Sequence, residues 1–343
     1  MLAFRAGASY IGFMSDSRTA LVTGGTGFIG SHLVAELLSS GWDVRCVVRP
    51  SSNLKWLDGK SIQPVTADIT DPDSVALKKA LEGVSAVFHF AGITSSATDE
   101  GYARVNTEGT RRIVNAMDEV SPDAHLISCS SLAAAGPVKG RKTINETDAA
   151  KPMSLYGKSK LAAEGIVEES GLKYAIVRPP VVYGPRDKKG VFSLFRFVSH
   201  GIAPRLTSAT QKLSIVHVSD LVRGILQIAD GDGRGIYYMT DGPPHTWDEV
   251  IGTIGTALRQ RPRVVEVSPG IADAVAKVER LRGMLMGAKP FITPDRLTEL
   301  MQSDWTCSDA RARLDLEYEP KVTLAEGIQS TADWYRSAGW LAK

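Results

Sequence analysis

The sequence predicts an α/β protein: a doubly wound, mainly parallel sheet followed by a smaller C-terminal lobe. Three observations carry that expectation. Short runs rich in Val, Ile and Ala alternate with amphipathic segments through the first half of the chain, as in βαβ units whose strands are buried on both faces. A glycine-rich loop, TGGTGFIG, separates the first such run from the first amphipathic segment. After about residue 184, Gly- and Pro-rich loops (GPRDKKG, DGDGRG, DGPPHT) break the chain into shorter elements.

Taken in order, ALVTG (20–24) is the first strand and SHLVAELLSSG (31–41) the first helix, closed by Gly41. DVRCVVR (43–49) and IQPVTADIT (62–70) are the next strands. DPDSVALKKAL (71–81) is a helix with an acid cap and a proline just inside its start. AVFHFAG (86–92) is an apolar strand ending in glycine, and YARVNTEGTRRIVNAMDEV (102–120) a long helix. AHLISCSS (124–131), LYGKSKLAAEGIVEESG (155–171) and KYAIVRPP (173–180) continue as strand, helix and strand. Further helices are expected over 246–260 and 271–285, in FITPDRLTELM and in LAEGIQSTADWYRSAGWL.

Composition narrows the function classes. A chain of 343 residues with 43% hydrophobic and 23% charged residues is ordinary for a soluble globular protein. A formal net charge of +2 without a dense Lys/Arg run argues against a nucleic-acid binder. Three scattered cysteines (Cys46, Cys129, Cys307) form no C-x-x-C pair, which fits a reducing compartment, and the six histidines show no metal-ligand spacing. The start, MLAFRAGASYIGFMSDS, is broken by Gly, Ser and Arg and lacks a cleavage site, and no run reaches the ~18 apolar residues of a membrane span. A cytoplasmic protein is expected, with residues 1–17 a loose extension and Met14 an alternative start.

The glycine loop follows a strand and opens a helix, the context of a Rossmann-type dinucleotide fingerprint. Gly24 and Gly27 allow a tight turn near a pyrophosphate, Gly30 allows close helix packing, and Thr26, Phe28 and Ile29 complete the cradle. The second strand ends CVVRP: Arg49 stands where an acid would hold the ribose hydroxyls, and its guanidinium suits a 2′-phosphate. Asp68 and Ile69 fall beside the expected adenine, and Phe90, Ala91 and Gly92 line the path to the nicotinamide. NADP(H) is therefore favoured, with NAD(H) as the other reading. The expected division is a dinucleotide domain over 18–184 and a mainly substrate-binding lobe over 185–343, some of whose segments return to the core.

TGGTGFIG, Asp68, FAG, a Ser-rich strand end, YGKSK and RPPVVYGP occur here in the order seen in extended short-chain dehydrogenases/reductases. The chain resembles that family, with its NAD-dependent epimerase/dehydratase-type domain, over roughly residues 18–340. Only one of the nine tyrosines, Tyr156, has a lysine four residues on. The resemblance implies that Tyr156 exchanges a proton with the substrate oxygen and that Lys160 bonds the nicotinamide ribose and lowers the tyrosine pKa. Ser131, preferred to Ser130 and Ser128, would orient the same oxygen. Asn106 would help order the site, and Pro179 and Val182 would lie near the cofactor. Thr94, Tyr183 and Arg186 would face substrate, unless the last two merely shape a turn. His217 and Asp220, in HVSDL, read as structural.

Departures from the family pattern matter as much. Leu132, Ala133 and Ala134 follow Ser131, so the acid pair of sugar-nucleotide dehydratases is missing, and Ala135 stands where a tyrosine is frequent. TSATQKLSIVHVSDL lacks the basic and aromatic pattern that holds a diphosphate, leaving Arg205, Lys212 and Arg263 as the remaining candidates. VVRP and SSLAAAGP resemble the dihydroflavonol-reductase and 3β-hydroxysteroid-dehydrogenase-like branch. The resemblance thus implies hydride transfer to or from a carbonyl or secondary alcohol of a fairly apolar small molecule. The alternatives are a sugar-nucleotide 4-epimerase with tightly held NAD, and a non-catalytic nucleotide-sensing or scaffold protein. A homodimer through helices 102–120 and 155–171 is a further expectation.

Overall fold

Seven strands run parallel in one sheet. Six come in chain order, β1 (Thr19–Thr23), β2 (Asp43–Val48), β3 (Ile62–Thr66), β4 (Ala86–His89), β5 (His125–Cys129) and β6 (Tyr174–Val177); the seventh, Gly235–Tyr237, lies on the far side of β6. β1 pairs with both β2 and β4, so the strand order reverses between β1 and β4. In sheets of this kind the ligand crevice lies at such a reversal, at the carboxyl ends of the strands. The computed structural model describes residues 18–71, 74–96, 98–138, 143–188, 190–206, 211–286, 294–302 and 304–342.

Alternation along each strand builds the two layers around this sheet. Ala20 and Val22 face one side and Leu21 the other, all fully buried. On the first side Leu33 and Leu37 of the helix Phe28–Ser39 meet Ile225 and Ile228 of the helix Val218–Gly231. On the second, Leu77, Ile113, Met117 and Val167 come from the helices Val75–Leu81, Gly109–Val120 and Leu155–Glu168. Each such side chain contributes about 1.5–3 kcal/mol when fully buried. A further apolar cluster gathers Phe195, Ile254, Ile328 and Tyr335 from the helices Phe192–Ser199, Trp247–Leu258 and Leu324–Ser337. The last two of these helices start with capping boxes, Thr246 with Glu249 and Thr323 with Glu326.

Several boundaries differ from the sequence expectation. β3 stops at Thr66, leaving Asp68 and Ile69 in the loop that follows. The cap of the helix Val75–Leu81 is Ser74, whose hydroxyl accepts from the Leu77 amide; the expected Pro72–Asp73 start and residues 1–17 lie outside the described residues. The long helix expected over 102–120 is composite: one α turn (Asp99–Tyr102), a π-helical stretch (Ala103–Glu108), then α-helix Gly109–Val120. Such π stretches concentrate at functional sites. Among the described residues no helix is long and apolar enough to cross a membrane.

Candidate active site

The crevice begins with the glycine loop between β1 and the helix Phe28–Ser39. Gly24 adopts φ +74°, and its carbonyl accepts from the Gly27 amide at 2.9 Å, closing a tight turn. A Cβ on Gly30 would fall 2.3 Å from the Gly24 oxygen, so only glycine lets the helix start this close to the loop. Gly27 caps the helix without a side-chain hydrogen bond, and no acid stands in the first turn. The helix therefore offers backbone N–H groups and the positive end of its dipole outward, which fits a dinucleotide pyrophosphate. Thr26 lies on this loop, and Phe28 and Ile29, the first residues of the helix, are half-buried and pack on the core.

Across the crevice, the helix Leu155–Glu168 carries Tyr156 and Lys160. The Lys160 ammonium donates to the Cys129 carbonyl at 2.5 Å, at the end of β5. A Cβ on Gly92, in the loop after β4, would lie 3.7 Å from the same ammonium. Burial lowers the Lys160 pKa, against the opposing influence of Cys129 and Glu164. Tyr156 is half-buried, its ring 6.2 Å from that of buried Tyr102. Ser131 caps the short turn Leu132–Ala135, its hydroxyl accepting from the Ala133 amide at 3.1 Å, which leaves the hydroxyl proton available to another acceptor. Ser130 is 6% exposed and donates to Glu164, while Ser128 is buried within β5. Among the three serines, Ser131 is the half-exposed one. Gly157 brings the Ser131 turn against the helix of Tyr156: a Cβ there would sit 2.3 Å from the Ala133 carbonyl oxygen.

Behind these groups lies a polar layer. Asn106, 1% exposed in the π stretch, accepts from the Ile93 amide at 2.9 Å and donates to the Ile93 carbonyl and the Ser159 hydroxyl, each at 3.0 Å. It ties the loop of Phe90, Ala91 and Gly92 to the helix of Tyr156. Buried His89 bridges Thr23 (2.8 Å) and Thr110 (3.0 Å). Because Thr110 donates to the Asn106 carbonyl, the Nε2 of His89 carries the proton, and Nδ1 accepts from Thr23. Burial, aided by the Lys160 charge, holds the His89 pKa down to about 3, so the ring is neutral. Glu164, one turn past Lys160, takes a bidentate pair from Arg178 at 2.9 and 2.6 Å; both are 3% exposed, and Arg178 also reaches the Tyr238 hydroxyl at 2.8 Å. Two local signals for this layer stand in the chain and are missed by reading motifs alone: a glycine directly after Tyr156 inside a helix, and an arginine closing the apolar strand YAIVR.

The other expected residues divide into three groups. Pro179 is buried, and its carbonyl accepts from Leu132 at 2.9 Å, which sets it beside the Ser131 turn; Val182 is half-buried against the first core layer. Arg49 is exposed just after β2, and Asp68 receives both the amide and the hydroxyl of Thr70. Burial opposes ionisation of Asp68, yet the Thr70 hydrogen bonds and the Arg49 and Arg104 charges bring its pKa below the usual value. Buried Ile69 packs toward Gly109, and Thr94 is exposed beyond Ile93.

Tyr183 and Arg186, expected to face substrate or to shape a turn, pack onto other elements. Tyr183 is 1% exposed, its ring 5.3 Å from His217 and its hydroxyl close over Gly327, within the apolar cluster of the C-terminal helices. Arg186, at φ +71°, donates to the Ser31 carbonyl and hydroxyl at 3.1 Å and lies over the Trp56 ring, so it faces the dinucleotide helix and not the Ser131 side. Asp220 is wholly buried and accepts the Lys321 and Val322 amides at 2.9 Å, a structural role. Arg205 already pairs with Asp248 at 2.8 Å, while Lys212 and Arg263 are exposed.

Residues 20–238 match the NAD dependent epimerase/dehydratase family. The ceramide reductase of Caulobacter vibrioides is 30% identical over 333 residues, covering 96% of this chain and 98% of that one. A 3-beta-hydroxysteroid dehydrogenase of Mycolicibacterium neoaurum is 27% identical, covering 94% and 92%. The solved UDP-glucose 4-epimerase of Thermus thermophilus, in complex with NAD, superposes with a TM-score of 0.75 at 25% identity, covering 93% and 99%. The family match runs from β1 to the last strand of the sheet and takes in every motif around the crevice, and the chain accordingly belongs to that family, the extended short-chain dehydrogenases/reductases.

Proposed function

We propose that this protein is an NADP(H)-dependent reductase or dehydrogenase acting on a carbonyl or secondary alcohol of a fairly apolar small molecule. The observation that carries the reading is the turn after Ser131: Leu132, Ala133 and Ala134 are all buried and apolar, so no acid stands beside the serine to drive water elimination. A nicotinamide, when bound, would supply the hydride for reduction of a carbonyl or accept it in oxidation of an alcohol. Tyr156 gives a proton to the substrate oxygen or takes one from it, and Ser131 donates a hydrogen bond to the same oxygen. A phenol with a pKa near 10 is a poor base at neutral pH, and the Lys160 ammonium one turn away favours its phenolate. Asn106 keeps the Gly92 loop and the Tyr156 helix in register.

Two further observations support this reading. Arg49 is exposed where an acid would select NAD, and two of the relatives are named for ceramide and a 3-beta-hydroxysteroid, both apolar lipids. Similarity to the NAD-bound epimerase keeps a second reading, a sugar-nucleotide 4-epimerase. Denaturing freshly purified protein and weighing the released nucleotide separates the two. An empty protein that then binds NADPH more tightly than NADH is expected; stoichiometric NAD would favour the epimerase, whose chemistry regenerates its cofactor in place. The same reading takes the protein as cytoplasmic and as a homodimer through the outer faces of Gly109–Val120 and Leu155–Glu168, which size-exclusion chromatography with light scattering would test.

A further inference from the structure

The first N–H groups of an α-helix have no partner within it. In the helix Leu155–Glu168, the Gly157 amide is met locally by the Ser154 hydroxyl at 2.9 Å. The two amides before it are held from far away. Asp295 accepts from Leu155 at 2.5 Å and from Tyr156 at 3.2 Å, across 140 and 139 residues of chain. Glu299, 8% exposed, accepts the proton of the Ser154 hydroxyl, so that a lone pair of that oxygen turns toward Gly157. Both carboxylates lie on the short helix Pro294–Leu300, which is anchored through Leu297 to Ala272 and Ala276 of the helix Pro269–Met286.

We propose that Asp295 and Glu299 are positioning residues that clamp the start of the helix Leu155–Glu168 and so set the Tyr156 phenol. The proposal rests on the reading of Tyr156 as the proton-exchanging residue. A serine cap alone is the ordinary way to start such a helix. Here the backbone amide of Tyr156 itself is fixed by a side chain from the C-terminal part of the chain, so any shift of that segment moves the phenol. Misplacing a reacting group by 1 Å costs about 10²-fold in rate.

The test compares Asp295→Ala, Asp295→Asn and Glu299→Gln with the parent protein, by steady-state NADPH oxidation with a 3-ketosteroid as hydride acceptor and by amide hydrogen exchange. For Asp295→Ala we expect kcat to fall about 10- to 100-fold, the KM for NADPH to change less than about twofold, and exchange at Leu155 and Tyr156 to rise. Asp295→Asn keeps one acceptor oxygen and should recover part of the loss. In Glu299→Gln, whose amide accepts the Ser154 proton less strongly, a smaller loss of kcat in the same direction is expected. In a Tyr156→Phe background, Asp295→Ala should lower the residual rate no further. An unchanged kcat in Asp295→Ala overturns the proposal, as does a loss that persists in full without the tyrosine hydroxyl. A parent protein that binds NADPH but transfers no hydride overturns the functional reading instead, and the exchange rates still report the clamp.

Discussion

Tyr156 and Lys160 show how much a single residue's role depends on its setting. The four-residue spacing puts both on one helix face, and the Cys129 carbonyl then fixes the ammonium at the end of β5. Tyr156→Phe removes the proton and leaves the ring, so turnover should fall about 10²- to 10⁴-fold while NADPH binding is retained. Stopped-flow turnover with a fluorescence titration of NADPH checks this, and unchanged turnover would sink the assignment. Ser131 differs from Ser130 by one position, but their partners differ: the Ser130 hydroxyl donates to Glu164, and the Ser131 hydroxyl accepts from the Ala133 amide.

The elements are held in place by close backbone contacts and a buried ion pair. The helix of Tyr156 meets the Ser131 turn at Gly157, where a methyl group has no room. Gly157→Ala should therefore destabilise the fold by about 1–3 kcal/mol and lower kcat as the turn and helix separate; urea unfolding and steady-state rates measure both. The pair between Glu164 and Arg178 joins the same helix to the end of β6. Arg178→Met leaves Glu164 buried beside Ser130 without its counter-charge, so a loss of about 3–5 kcal/mol in urea unfolding is expected. Lysine at 178 should not restore it, since a single ammonium cannot reproduce the bidentate geometry.

At the scale of the whole molecule, buried histidines set the acid limit of stability. Burial first of all lowers His32 to about 4, His89 to about 3 and His125 to about 4, from an ordinary 6.5. Below pH ~6.5 the unfolded chain takes up protons that the folded protein refuses, so stability falls as pH drops from there toward ~4, by roughly 1 kcal/mol per pH unit for each histidine. His245 works the other way: its hydrogen bond to Asp241 raises its pKa, a gain present at low pH and lost as pH rises through the folded value. Burial lowers His217 as well, and the four lowered groups outweigh that one. Urea midpoints at pH ~7.5, ~6 and ~5 should decline in that order, and a flat series would contradict the argument.

The sheet is legible in the sequence because its strands are short apolar runs between turn signals, and the dinucleotide loop because its glycines answer a steric need visible in one dimension. The Tyr156–Lys160 pair is legible for the same reason, since helical spacing is a local property. Tyr183 and Arg186 escape such a reading because proximity in sequence to the crevice says nothing of the side a chain turns toward; the first is drawn into an apolar cluster and the second onto Ser31. The π stretch at Asn106 is invisible as well, since backbone winding there follows from bonds to Ile93 and Ser159 on other elements. By itself the sequence determined the fold class, the tight glycine loop and the placing of Tyr156 and Lys160 one helical turn apart, all products of local periodicity and sterics. Only the tertiary structure decided which serine keeps its proton, what balances Glu164, and that the helix of Tyr156 is started by carboxylates some 140 residues away, because those are contacts between segments that the chain brings together only on folding.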